Sequence, residues 1–121
     1  MKEATIRQRV MEECRKRKLF AFPIETGLVY GGVPDLCITG ERTIWVELKW
    51  VIRWPVRDTT VVAKDLLRSA QKNWMVDYEE AGGSHSWILV QVDDSFFLFP
   101  GRVARAIGDF TRHGYEENAV W

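Results

Sequence analysis

The sequence predicts a mixed α/β (α+β) fold, with a mixed β-sheet flanked by helices in the order α-β-β-β-α-β-β-α. Two segments, residues 3–18 and 63–80, repeat apolar residues at helical spacing. Between and after them, short runs rich in β-branched and aromatic residues are bounded by glycine and proline turns. The chain of 121 residues, 46% of them hydrophobic, is sufficient for one domain spanning residues 1–121.

The element boundaries follow from these patterns in order. Ile6, Val10 and Cys14 form the apolar stripe of the first helix. The predicted strands cover residues 25–30, 36–39, 43–51, 86–92 and 95–99, and a last short helix covers residues 103–111. Three consecutive strands joined by tight turns predict an antiparallel meander. The fourth strand follows a helix and is therefore expected to lie parallel to a central strand.

The second helix, residues 63–80, has two predicted faces. Its core stripe consists of Leu67, Ala70, Trp74 and Tyr78. A neighbouring basic stripe at four-residue spacing consists of Lys64, Arg68 and Lys72. Such a stripe is suited to contacts with a nucleic-acid backbone, although a solvated charged face is the more common explanation. Gln71 lies on the border between the two stripes.

The third strand carries two charged side chains on one face. Side chains alternate along a strand, so Val46 and Leu48 point one way while Glu47 and Lys49 point the other. Buried charges are normally paired or bound to a metal. Asp35, 12 positions before Glu47, joins them if its strand lies alongside. Two carboxylates and a lysine so arranged are suited to metal-assisted cleavage of a phosphodiester. The alternatives are that Asp35 is only a turn residue and that Glu47 and Lys49 belong to a solvated face.

The pattern resembles the PD-(D/E)XK nuclease superfamily and, more narrowly, a stand-alone VRR-NUC domain of the kind found in phages. The resemblance covers roughly residues 3 to 92 and rests on Gly32, Pro34, Asp35, Glu47, Lys49 and Gln71. It implies a restriction-endonuclease-like sheet and a DNA endonuclease that depends on Mg²⁺ or Mn²⁺. By the same resemblance, Asp35, Glu47 and the backbone carbonyl of Leu48 hold the metal, with Lys49 and Gln71 as catalytic partners.

Glu3 is an additional candidate metal ligand. It falls in the middle of the apolar stripe of the first helix, and members of the superfamily often carry a glutamate from this helix into the metal site. The alternative is that Glu3 only favours the helix dipole from the first turn. Glu12 and Glu13 lie in the same predicted helix, so which of the three glutamates joins the metal site is left open.

The charge is zero overall but unevenly distributed. Residues 1–76 contain 14 Lys and Arg against 9 Asp and Glu, whereas residues 77–121 contain 3 against 8. This asymmetry predicts one basic face on an otherwise neutral molecule. The segment 52–62, with Arg53 and Arg57, is expected to form a loop that contacts DNA, a hairpin that pairs with a second subunit, or an ordinary packed connection.

The resemblance implies that the substrate is DNA, with four-way junction resolution by a homodimer as the first expectation. The alternatives are a repair or replication nuclease acting on flaps, nicks or single strands, and a non-catalytic DNA-binding module on the nuclease fold. The sequence shows no membrane span and no apolar signal region at its start. A cytoplasmic location, in a bacterium or a phage-infected host cell, is therefore expected.

Overall fold

The computed structural model describes residues 2–24 and 31–121. Its regular elements are α1 (Lys2–Lys16), β1 (Phe20–Pro23), β2 (Leu36–Thr39), β3 (Thr43–Val51), α2 (Ser69–Glu80), β4 (Ser86–Val92), β5 (Ser95–Pro100) and α3 (Arg112–Asn118). Two short 3₁₀ turns, Gly101–Val103 and Ile107–Asp109, lie between β5 and α3. The predicted order of helices and strands is confirmed. The predicted strand at residues 25–30 lies outside the described residues, and β1 precedes it.

The five strands form one mixed sheet in the order β1-β2-β3-β4-β5. The first three strands are an antiparallel meander, β3 and β4 are parallel, and β5 returns antiparallel to β4. The connection through α2 allows β4 to run parallel to β3, because parallel neighbours need a crossover of a dozen or more residues. Both parts of the strand arrangement predicted from the sequence are confirmed.

Side-chain alternation along β3 and β4 gives the sheet two apolar faces. On one face, α1 packs Ile6 and Cys14 against residues that include Val46 and Leu48. On the other face, the residues of α2, the 3₁₀ turns and α3 cover Ile88, Val90, Val92 and Phe99. The charged residues of β3 share this second face. They are thus enclosed between the sheet and the segment that contains α2.

The second helix is shorter than its sequence predicts. It begins at Ser69 instead of residue 63, because Arg68 is extended (φ −73°, ψ 160°) and residues before it form turns. The predicted stripe is also wrong in part, since Ala70 is exposed while Gln71 and Met75 are the buried positions of α2. Lys64 therefore precedes the helix, and the predicted basic stripe of Lys64, Arg68 and Lys72 does not exist as a helical face.

The predicted helix at residues 103–111 is also wrong. Parts of the two 3₁₀ turns and the irregular residues between and after them occupy that segment, and α3 begins only after Thr111, whose side chain accepts a hydrogen bond from the Gly114 N–H. Gly108 allows the close approach of this segment to the turn before α2, since a Cβ there would lie 2.5 Å from the Lys64 carbonyl oxygen. The fully buried Tyr115 then completes the core beneath α3.

No helix within the described ranges 2–24 and 31–121 has the length and apolar character needed to cross a membrane.

Candidate active site

Strand pairing brings the two predicted carboxylates together. The register of β2 and β3 pairs Leu36 with Val46, so Asp35, one residue before β2, lies opposite Glu47. Residues directly opposite on an antiparallel pair have their Cβ atoms about 5 Å apart. Asp35 is fixed there because its Oδ2 accepts a hydrogen bond of 2.8 Å from the Leu48 N–H.

Glu47 is the most enclosed charged group of this arrangement. Its side chain is only 2% exposed, and its Oε2 lies 3.6 Å from Lys49 Nζ. The same oxygen accepts a hydrogen bond of 2.9 Å from Gln71 Nε2. By contrast, Oε1 is buried and receives no hydrogen bond from any residue that the structure describes. Glu47 thus retains one free acceptor atom in a position that water cannot readily reach.

The environment of Glu47 favours its protonated form. Burial raises the pKa of Glu47 to about 8, and the negative charge of Asp35 contributes to the rise. The ammonium of Lys49 opposes these effects by lowering the pKa, while the nearness of the Asp35 carboxyl group and the charge of Glu3 raise it further. Like-charged carboxylates in one enclosed site normally hold a shared proton or a cation.

Gln71 links the second helix to Glu47. Its Oε1 accepts a hydrogen bond of 2.9 Å from the Arg68 N–H, while its Nε2 donates to Glu47. Both ends of the amide are therefore occupied, which fixes its orientation. The turn at Gly32 supports this arrangement, because a Cβ there would lie 2.1 Å from the carbonyl oxygen of Ala70 and 2.9 Å from the Gln71 nitrogen. Only glycine permits that approach.

Asp35 and Leu48 also line a cleft of about 140 Å³ at the start of α1. Glu3 and Arg7, one helical turn apart, line the same cleft. Glu3 is exposed at this rim and is not buried in the core stripe, where its spacing placed it. Arg7 received no role from the sequence, although its position four residues after Glu3 was a usable signal, since such residues share a helix face.

The remaining predicted residues belong to other parts of the structure. Glu13 pairs with Lys16 and Arg17 in the last turns of α1. Arg53 and Arg57 are exposed in the connection after β3. That connection is anchored by Trp54, whose ring packs edge-on against the aromatic cluster of α3 and β5. The prediction of a packed connection therefore holds for Trp54, and the two arginines project from it. Lys64 and Arg68 are exposed before α2, and Lys72 is half-buried within it.

The donor set fits a hard divalent cation. Asp35 and Glu47 supply carboxylate oxygens, and the unpartnered Oε1 of Glu47 is a buried acceptor of the kind that a cation would satisfy. Within the part of the chain that the structure describes, no group of three or more His, Cys, Asp or Glu side chains is arranged to hold a metal. A cation here would therefore depend on two carboxylates, backbone oxygen and water, which is the usual environment of Mg²⁺.

The fold has a counterpart among solved structures. It is similar to that of Hjc, a Holliday junction resolvase from the archaeal hyperthermophile Archaeoglobus fulgidus, with a TM-score of 0.64. The match covers 96% of this chain and 93% of that chain at 12% sequence identity. No family model matches the sequence, and no curated protein does. The predicted fold class is confirmed by this likeness, which at such low identity concerns the fold alone.

Proposed function

We propose that this chain is a DNA endonuclease that depends on Mg²⁺ or Mn²⁺ and belongs among the PD-(D/E)XK nucleases, as a VRR-NUC-like member. The observation that supports this proposal is the meeting of Asp35, Glu47, Lys49 and Gln71 on one face of the sheet. A purely structural role explains them less well. Burying the Glu47 carboxylate beside the half-buried Asp35 costs stability, and Glu47 still lacks a donor for Oε1.

In this proposal Asp35, Glu47 and the Leu48 carbonyl hold the cation, and Glu3 at the rim of the cleft is an additional candidate. When bound, the cation supplies a water of lowered pKa and stabilises negative charge on the phosphate. The hydrogen bond from the Leu48 N–H keeps one Asp35 oxygen fixed. The hydrogen bond from Gln71 keeps Glu47 turned toward Asp35, so the acids are held in place before substrate arrives.

Lys49 is assigned to the reacting phosphate. Its side chain is 13% exposed, so it is largely enclosed without being fully buried. Its donors can orient the attacking water or stabilise the charge that develops on the phosphate oxygens. Glu47, at 3.6 Å, holds the ammonium at this position. Gln71 acts through Glu47 and is a positioning residue.

Five cations outside this cluster are assigned to the DNA backbone. Arg53 and Arg57 project from the connection after β3, while Arg68 and Lys72 lie near the start of α2, on either side of Gln71 in sequence. Lys64 extends this set from the turn before the helix. Neutralising phosphates in this way supplies affinity without reading sequence. Contacts of this kind favour selection by DNA shape over selection by base sequence.

The proposed substrate is a four-way DNA junction, cut symmetrically by a homodimer, because two-fold symmetric cuts suit a two-fold assembly. The similarity to a protein described as a Holliday junction resolvase supports this choice. The alternatives are cleavage of flaps, nicks or single strands, and DNA binding without cleavage. A gel comparing labelled four-way, flap, nicked, single-stranded and linear duplex DNA separates them, and sedimentation of the free protein tests the dimer.

The catalytic assignment is tested with Lys49→Met. We expect at least a 100-fold loss of cleavage, since removal of one charge-stabilising donor typically costs that much, with an unchanged circular-dichroism spectrum. Arg105→Met, which removes an exposed cation after β5, is the matched control and should cleave normally. Full activity of purified Lys49→Met, or undiminished cleavage in EDTA, would reject the proposed mechanism.

A further inference from the structure

Three neighbouring clefts lie beside α1 between the candidate active site and the edge strand β1. The cleft of about 140 Å³ that contains Asp35 also contains Arg7. A second cleft of about 380 Å³ shares Arg7 and extends to Arg15 and Pro23. A third cleft of about 510 Å³ shares Arg15 and ends at Phe20. Because each cleft shares lining residues with the next, the three follow one another along α1, and together they are here called the α1–β1 groove.

Positive charges are spaced along this groove. Arg7, Arg15 and Lys18 line it in succession, and none of the three forms an ion pair with another described residue within 4 Å. The acidic residues on the path are Glu3, Asp35 and Glu12. Glu3 and Asp35 lie at the active-site end, where the cation is proposed to bind, so the remainder of the groove carries an excess of positive charge. Cations at intervals along a channel are suited to a chain of phosphates.

Phe20 lines the far end of the α1–β1 groove, and the ring of Phe22 lies beside it on β1. Phe20 is 65% exposed and Phe22 38% exposed, although both are large apolar residues. Their ring centroids lie 5.3 Å apart with the rings tilted by 46°. Both belong to β1, which ends the order of the sheet. Aromatic rings beside cations are the usual surface on which unpaired bases stack.

The spacing of the groove agrees with the dimensions of a nucleic-acid strand. Arg7 and Arg15 are eight residues apart on α1, which is about 12 Å along a helix axis. That distance corresponds to three or four nucleotides of stacked strand at about 3.4 Å each. A base can stack on Phe20 only if it is unpaired, because paired bases present their faces to their neighbours inside the duplex.

We propose that the α1–β1 groove binds one unpaired strand that continues from the scissile phosphate. Arg7 and Arg15 hold its backbone, and Phe20 stacks on a base three to five nucleotides away. The direction of the bound strand in this proposal rests on the proposed cleavage site. The proposal specifies the substrate as DNA with a single-stranded arm or an opened branch point. Binding in the groove is measurable without cleavage.

The test measures binding of fluorescein-labelled oligothymidylate of about 15 nucleotides, within the usual range of single-strand sites, by anisotropy in EDTA. A blunt duplex and a duplex with a single-stranded arm are measured in parallel. The groove variants are Arg15→Gln, Phe20→Ala and Phe20→Leu. The matched controls are Arg17→Gln and Trp121→Ala, which change an arginine and an exposed aromatic lining a separate cleft, on the side of α1 with Leu89 and Phe96.

We expect Phe20→Ala and Phe20→Leu to weaken single-strand binding about 5- to 150-fold, the effect of losing one stacked base, and to leave blunt-duplex binding within two-fold. Arg15→Gln should reduce the salt slope of single-strand binding by about 0.7, one phosphate contact. The controls should bind as the unchanged chain does. The fluorescence of 2-aminopurine should change most when it replaces a base three to five nucleotides from the cleaved bond.

Equal losses of single-strand binding in the groove variants and the controls would mean that the protein attracts DNA through its general charge. That result would overturn the proposal. A change in sedimentation with Phe20→Ala, without a change in DNA binding, would instead identify the groove as a contact between copies and would also overturn it. The two proposals fail separately. Cleavage that depends on Lys49 with unaffected single-strand binding rejects only the groove, whereas groove-dependent binding without cleavage rejects only the nuclease assignment.

Discussion

Replacement of Glu47 by glutamine is expected to stabilise the metal-free protein while abolishing cleavage. Glutamine keeps the shape of the side chain, so its carbonyl oxygen can still accept the hydrogen bond from Gln71, and its amide can donate toward Asp35. It removes the charge whose burial the fold opposes. The site would then be tuned for binding a cation at the expense of stability, which is a common feature of active sites.

The magnitude follows from the pKa of Glu47, which burial raises from 4.5 to about 8. Each unit is worth about 1.4 kcal/mol, so deprotonating folded Glu47 above pH 8 costs up to about 5 kcal/mol relative to the unfolded chain. At pH 7 the folded state keeps its proton while the unfolded state releases it, which costs about 3 kcal/mol. Because the folded pKa is raised, this stability is fully present below pH 4.5, declines as the pH rises, and is lost once the pH passes about 8.

The assay is urea unfolding of Glu47→Gln and the unchanged chain between pH 4.5 and pH 9 in EDTA. The free energy of unfolding should be similar for both at pH 4.5, and the advantage of Glu47→Gln should grow by about 1.4 kcal/mol per pH unit up to about pH 8 and then stay constant. Glu41→Gln, an exposed acid in the turn between β2 and β3, controls for loss of a negative charge. A difference between the two proteins that does not vary with pH would refute this account of Glu47.

Adding Mg²⁺ tests the other half of the same reasoning. A ligand at 100 times its dissociation constant stabilises the folded state by about 2.7 kcal/mol. The unchanged chain should gain stability with Mg²⁺, and the gain should rise with pH up to about pH 8 and level off above it, where Glu47 no longer has to release a proton. Glu47→Gln should gain little. Equal stabilisation of both proteins would place the cation elsewhere.

Two further predictions concern packing near the site and in the core. Gly32→Ala should destabilise the protein by more than 2 kcal/mol and lower cleavage, because its φ is +88° and the new Cβ would meet Ala70 beside Gln71. Gly82→Ala, at φ +99° with open space around it, should cost only about 1 kcal/mol, and equal losses in urea unfolding would contradict the proposed close packing. Tyr115→Phe should be neutral or stabilising by about 1 kcal/mol, since the Tyr115 hydroxyl is buried and has no hydrogen-bond partner among the described residues. If Tyr115→Phe lowered the free energy of unfolding by more than 1 kcal/mol, the Tyr115 hydroxyl would have a hydrogen-bond partner after all.

The strand pattern was predictable because its signal is local. The run from Thr43 to Val51 alternates in a way that only a strand explains, and the structure has those bounds. Alternation also placed Glu47 and Lys49 on one face, which the ion pair between them confirms. The start of α2 was not predictable in the same way. The start of α2 depends on the Gln71 side chain, which accepts a hydrogen bond from the Arg68 N–H. In the sequence the helical spacing extends back to Lys64, and nothing in it indicates that the helix begins later.

The sequence by itself determined the order of the elements and the identity of the charged residues, because periodicity and residue chemistry are properties of the chain alone. Only the tertiary structure decided which of those charges meet. The register of β2 and β3 sets Asp35 against Glu47, and the packing of α2 on Gly32 delivers Gln71 to the same carboxylate. The tertiary structure also brings Arg7 beside Asp35. Such contacts join residues far apart in the chain, so no local sequence pattern indicates them. The burial of Glu47 that results from this packing raises its pKa.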